Sequence, residues 1–161
     1  MMPFRVRPGR LPDDEAIARS FIMGLQAFEK NIEGDRRLDP AVADEFLSVL
    51  ATRVAQRRGR IFIAEIGDGS AIGWACCFVD SNEIYVEPEL RDFGLVSELF
   101  VVESARGAGV GRALIASCEA HFRSLSLRSM MIGVLAGNGN ARRTYLAAGF
   151  RPYSEQLLKM L

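Results

Sequence analysis

Two spacings of apolar residues alternate along this chain, and each change of spacing marks an element. Residues 4–7 alternate over a short run closed by Pro8-Gly9, which predicts a strand. From Pro12 the spacing lengthens. Ile17, Phe21, Leu25 and Phe28 share one helical face, and Asp13, Asp14 and Glu15 supply the charge that suits a helix N-terminus. After a polar link over residues 30–38, Asp39-Pro40 starts a second helix, with the aspartate as cap and the proline in the first turn. It carries Val42, Phe46, Val49, Leu50 and Val54 until Gly59 stops it.

Strands follow. Residues 60–66 and 71–79 flank Gly67-Asp68-Gly69-Ser70 and read as an antiparallel hairpin, with Trp74, the single tryptophan, in the core. Residues 82–93 are ambiguous: Ile84-Tyr85-Val86 fits a short strand or an extended loop ending at Pro88. Residues 95–102 form an apolar strand, and Val110, Leu114, Ile115, Cys118 and Phe122 mark a helix that runs to about Ser124. A strand over residues 129–135, a helix around Tyr145 and one or two closing strands over residues 150–161 complete the chain. The order βαα, antiparallel strands, then βαβαβ predicts a mixed sheet with helices on both faces in a single domain, residues 1–161.

Candidate chemistry concentrates between the strand at 95–102 and its following helix, where the chain reads Arg106-Gly107-Ala108-Gly109-Val110-Gly111-Arg112. Glycines let the backbone take positive φ and approach a ligand with no Cβ in the way. The first-turn amides of a helix lack intrahelical partners, so a strand, a glycine turn and a helix start make an anion site. A dinucleotide fingerprint would need Gly or Ala where Arg112 stands and an acid about twenty residues on, whereas after Glu119 the next acid is Glu155. A nucleoside-triphosphate loop would close on Gly-Lys-Ser/Thr, and this one closes on Gly111-Arg112-Ala113. The glycines alone fit a ligand-free connection equally well.

The pattern Arg-x-x-Gly-x-Gly at Arg106, Gly109 and Gly111 resembles the GCN5-related N-acetyltransferase (GNAT) superfamily, and a second segment strengthens the resemblance. Asn138, Ala141 and Tyr145, followed by Gly149-Phe150, match that family's Asn-x-x-Ala-x-x-x-Tyr signature at the expected distance downstream. Physically, Asn138 can cap a short helix and Gly149 can end it in the left-handed conformation, while Tyr145 alone also fits an amphipathic packing residue. The two motifs place the resemblance over roughly the last two-thirds of the chain.

The resemblance implies an α/β (α+β) fold with a mixed, mostly antiparallel sheet of six to seven strands, helices on both faces, and a splay between two central parallel strands. It implies acetyl-CoA as co-substrate, with the pyrophosphate on Arg106, Gly107, Ala108, Gly109, Val110, Gly111 and Arg112. The pantetheine arm would lie along Leu99, Phe100 and Val101 at a bulge, with Asn138 and Ala141 nearby. The activity implied is direct acyl transfer to an amine, the Val101 amide stabilising the oxyanion and Tyr145 serving as general acid to the leaving thiolate. Glu98, the acid nearest the chemistry in sequence, is the candidate base, although strand alternation points it opposite to Val101 unless a bulge intervenes. Glu103 departs from the family's usual proline. The other reading is an acyl-CoA-binding regulatory or interaction domain without turnover.

Charge refines this picture. The 161 residues balance 20 basic against 20 acidic side chains, which argues against a nucleic-acid protein. The balance is uneven along the chain. Residues 80–103 hold Asp80, Glu83, Glu87, Glu89, Asp92, Glu98 and Glu103 against Arg91 alone, whereas residues 120–154 hold five arginines and no acid. A basic part suits a polyanionic cofactor, and an acidic part, together with Glu33 and Asp35, suits a cationic small-molecule or peptide amine acceptor; two solvated surfaces would read the same way. No membrane span or apolar signal core is read, which with three unspaced cysteines predicts a cytoplasmic protein with reduced core thiols. A Cys/His pair has only His121 to draw on, better read as a half-buried helix residue, and no metal-ligand spacing is seen. Dimers are common among look-alikes, so a homodimer stands as a candidate partner.

Overall fold

The computed structural model describes residues 3–161. Five strands, β1 (Phe4–Gly9), β2 (Arg60–Ile66), β3 (Ala71–Ser81), β4 (Asp92–Val101) and β5 (Met130–Ile132), lie side by side in chain order. The first four are antiparallel, and β5 joins β4 in parallel. α1 (Glu15–Glu33) and α2 (Pro40–Gln56) cover one face, and α4 (Val110–Ser124) covers the other. A single helical turn, α3 (Pro88–Arg91), precedes β4, and α5 (Gly139–Ala147) follows β5.

Local chemistry sets most boundaries. Asp39 caps α2 by accepting the Ala41 amide at 2.9 Å, with Pro40 at the first helical position. Gly34, at φ +77°, closes α1. The ambiguous segment before β4 is neither strand nor extended loop throughout: Ile84 and Tyr85 sit exposed in a turn, and Pro88 opens α3.

The sheet has five strands among the described residues, not six to seven, and its parallel pair stands at one edge. Residues 150–161 form no strand. Gly149 turns the chain at φ +94°, Pro152 fixes φ and lacks an N–H to donate to a ladder, and residues 151–161 stay exposed.

Two apolar layers hold the sheet. Phe21, Ile22, Leu47, Leu50, Ile63, Trp74 and Phe78 are buried under α1 and α2, whereas Ala64, Val96, Val110, Leu114, Cys118 and Phe122 are buried under α4. β4 is gripped from both sides. A Cβ on Gly24 of α1 would come within 2.9 Å of the Phe100 ring, and one on Gly94 within 2.2 Å of the Phe122 ring. Phe122 is buried and cannot swing away freely. Gly94→Ala is therefore expected to destabilise the fold by about 2 kcal/mol, lowering the melting temperature by roughly 4–8 °C. Thermal melting followed by circular dichroism checks this, and an unchanged midpoint would refute the close packing.

Candidate functional site

The glycine turn closes as the sequence anticipates. Gly107 and Gly109 both take positive φ, +77° and +86°, and a Cβ at either would meet nothing within 4 Å. Gly109 is the N-cap of α4 and offers no side chain to it. The first helical bond runs from Ala113 N–H to Gly109 O at 3.0 Å, which leaves the amides of Val110, Gly111 and Arg112 aimed out of the helix end. This is an open cradle with the positive end of a helix dipole behind it, and it fits a pyrophosphate. The Glu103 departure does not disturb the turn, because residues Glu103–Ala105 wind into one 3-10 turn that buries Ala105.

Arg106 secures the turn to the body instead of projecting into the cradle. Its Nε donates to the Val101 carbonyl at 3.0 Å, and its guanidinium lies 4.7 Å from the Phe28 ring and 5.7 Å from the Phe100 ring. Phe100 itself faces α1, with its ring 6.0 Å from that of Phe21.

β4 carries a bulge, but at Ser97 and not at Leu99, Phe100 and Val101, which pair in regular register with Ala75, Trp74 and Gly73. Cys76 pairs with Glu98 but Cys77 with Val96, so Ser97 is the extra residue, and its hydroxyl donates to the Cys76 carbonyl at 3.3 Å. Beyond the bulge, Phe100 belongs to the α1 face and Leu99 and Val101 to the α4 face, so Glu98 does point opposite to Val101. The splay is present as well. β5 pairs only with residues 94–96, leaving the rest of β4 without a partner on that side. The Val102 amide donates to Ile72 O at 3.0 Å, so the polar backbone groups of Val101, and of Leu99 two residues before it, turn toward the gap.

The gap opens into a cleft of about 350 Å³ between α1, α2, β4 and the segment after β5. Of the sequence-predicted residues it brings together Glu98, Leu99, Asn138 and Tyr145. Asn138 caps α5, its Oδ1 accepting the Ala141 amide at 3.1 Å, whereas Ala141 does not reach the cleft. Burial pushes the Glu98 carboxyl up to about 8, helped by the nearby charge of Glu29 and opposed by Arg53 and Arg36. The Tyr145 phenol is pushed up to about 12 by burial and then by Glu29.

Glu29 and Gln26 were not picked out from sequence. Both line the cleft from α1, and the Gln26 Oε1 is buried with no hydrogen-bond partner. Ile22, Gln26 and Glu29 stand at i, i+4 and i+7, so two polar residues continuing an apolar stripe were the available signal. Arg36 enters from the link and donates to Glu29 Oε2 at 2.7 Å, and it also pairs with Asp35.

Most of the acidic stretch lies elsewhere. Asp80 pairs with Arg57 at 3.0 Å and Asp92 with Arg58 at 3.6 Å, while Glu83, Glu87 and Glu89 stand apart from the cleft. The cysteines are free and buried, and burial pushes the Cys76 thiol up to about 12, which suits core packing and not nucleophilic attack. The His121 Nε2 lies 2.8 Å from the Arg58 carbonyl oxygen.

Comparison with known proteins agrees with this geometry. Residues 26–150 match the acetyltransferase (GNAT) family. An aminoglycoside N(6')-acetyltransferase type 1 of Stenotrophomonas maltophilia is 30% identical over 109 residues, covering 67% of this chain and 70% of that protein. The fold is similar to that of a tetramutant of the BH1408 protein from Bacillus halodurans, with TM-score 0.80 and 16% identity over 98% of this chain and 99% of that one. A predicted acetyltransferase from Clostridium acetobutylicum, solved with acetyl-CoA, superposes with TM-score 0.77 and 15% identity over 98% and 96% of the two chains. Turn, bulge, splay and sequence match converge: the chain belongs to the GNAT acetyltransferase family.

Proposed function

We propose that this chain transfers an acetyl group from acetyl-CoA to the nitrogen of a cationic amine. The observation that carries the reading is the cleft itself, where a carboxyl pushed up to about 8, Glu98, and a protonated phenol, Tyr145, line one gap along β4, the strand whose end leads into the open helix start of α4. Acetyl-CoA supplies the activated acyl group as a thioester. Residues 107–112 hold its pyrophosphate through backbone amides, and the free edge of β4 offers the Val101 amide to the carbonyl oxygen. Glu98, directly or through water, takes a proton from the ammonium so that the amine can attack. The nitrogen of the adduct gives up its second proton to water, the C–S bond breaks, and Tyr145 donates to the departing sulphur and is reprotonated from solvent.

Glu29, paired with Arg36, and the unpartnered Gln26 Oε1 line the cleft, and Glu98 adds an uncompensated negative charge when it ionises, which favours a positively charged amine. The aminoglycoside-acetylating relative is in keeping with that class. A thiol-release screen with acetyl-CoA over aminoglycosides, polyamines, lysine peptides and neutral or acidic amines tests the reading. Cationic primary amines are expected to turn over. Release no faster than background hydrolysis with every amine would leave a binding domain without turnover.

The base assignment has its own signature. With Glu98 titrating at about 8 and active when ionised, kcat/KM should climb as pH rises through about 8. Glu98→Gln removes that limb, so the rise should move toward the amine's own pKa, about 10 for an alkyl ammonium. A profile unchanged in Glu98→Gln would assign the proton to another group.

A further inference from the structure

Among the described residues three buried side-chain polar atoms have no hydrogen-bond partner: Trp74 Nε1, Arg91 Nε and Gln26 Oε1. Of the three, only Gln26 belongs to the lining of the cleft. The wall around it is apolar, with Ile22 and Leu25 from α1 and Val42 and Phe46 from α2. A leucine at position 26 would extend that wall at no polar cost, whereas an amide with no partner is unfavourable there. The amide gains only when something in the cleft bonds to it.

The other polar groups of the lining are already engaged. Ser97 donates to the Cys76 carbonyl, Asn138 Oδ1 accepts the Ala141 amide, and Glu29 is held by Arg36 at 2.7 Å. Gln26 as a whole is only half-buried, and the last torsion of a glutamine is broad, so a small turn presents its amide to the cleft.

Charge selects what should meet it. The charged residues of the lining are Glu29, Arg36 and Glu98. Glu29 and Arg36 cancel, so ionised Glu98 is matched by the one ammonium that reacts. A second ammonium at Gln26 would share the cleft with Arg36 and find no free carboxylate to balance it. A hydroxyl brings a donor without a charge. It also accepts, so it satisfies the amide whichever of its two ends faces the cleft.

We infer that Gln26 is a specificity-determining residue, whose amide bonds a neutral hydroxyl of the acceptor while that acceptor's amine lies at Glu98 and Tyr145. The inference rests on the acetyl-transfer reading and narrows its substrate class to amines that bear a hydroxyl, as amino alcohols and amino sugars do.

Matched acceptors test it: an alkylamine, the amino alcohol that adds one terminal hydroxyl and the diamine that adds a second ammonium, compared at several chain lengths, with an amino sugar and its deoxy analogue as a cyclic pair. In the linear or the cyclic pair that fits the cleft, the hydroxyl is expected to raise kcat/KM by about 10-fold or more, chiefly through KM, and the pair that shows it tells the two sources apart. Gln26→Met keeps the length of the side chain and removes the unpartnered amide, so the fold should survive while the ratio falls to near one. Gln26→Glu supplies the missing carboxylate and should move the preference to the diamine. Equal rates with and without the hydroxyl in every pair, a diamine preference in the parent chain, or a hydroxyl preference that survives Gln26→Met would each overturn the inference while leaving acetyl transfer standing. No turnover with any amine would overturn the acetyl-transfer reading itself. Calorimetric binding of the same pairs to the chain loaded with coenzyme A then decides the Gln26 contact by the same ratio.

Discussion

Tyr145→Phe is expected to lower turnover by about 10²- to 10⁴-fold while leaving acetyl-CoA affinity nearly unchanged. The substitution keeps the ring, whose centroid lies 6.1 Å from that of Phe150, and removes only the hydroxyl facing the cleft. With its pKa pushed up to about 12, the phenol is protonated at every working pH, so it is always ready to donate. A thiolate with reference pKa about 8.5 is a weaker base than this phenolate, which makes full proton transfer uphill at first. The same dry surroundings that raise Tyr145 also raise a thiol, as Cys76 illustrates at about 12, and bring the two closer in basicity. Single-turnover rates isolate the chemical step. A near-normal rate there would make Tyr145 a packing residue, and the loss of a hydrogen bond alone would give the lower end of the range.

The parts of this molecule that were legible in its sequence are those whose physics is local. The α4 stripe from Val110 to Phe122, the Asp39-Pro40 start of α2 and the Asn138 cap each depend on residues a few positions apart, and each lies where spacing put it. The turn at Gly107 and Gly109 was legible for the same reason, since positive φ selects glycine. What could not be read depends on distant partners. Asp80 and Asp92 belong to an acidic run in sequence, yet folding hands them to Arg57 and Arg58, away from the cleft. Glu29 carries no motif and becomes important only because α1 lies across the splay from Glu98. The bulge at Ser97 is a register offset between two strands, which no single strand encodes.

Gly109→Asp is expected to abolish acetyl-CoA binding in a chain that still folds, with a loss of affinity of at least about 10³-fold. Nothing in the protein stands within 4 Å of a Cβ at this position, so the new side chain meets only the open cradle. The φ of +86° strains an L-residue by about 1–2 kcal/mol, and aspartate tolerates that region better than most. Aspartate is also a favourable N-cap. Placed at the start of α4, its carboxylate can accept the amides of Gly111 or Arg112 that a pyrophosphate would otherwise occupy. The variant thus carries its own anion into the anion site, which offsets the strain in the folded state while opposing the ligand by occupancy and by charge. Gly109→Ala separates the two effects: it imposes the strain and some bulk without the charge, so its affinity should fall less. Calorimetric titration with acetyl-CoA, alongside a melting curve for each variant, reads both quantities. A folded Gly109→Asp that binds as tightly as the parent would show that the phosphates lie elsewhere, because no anion shares these amides with a carboxylate at no loss.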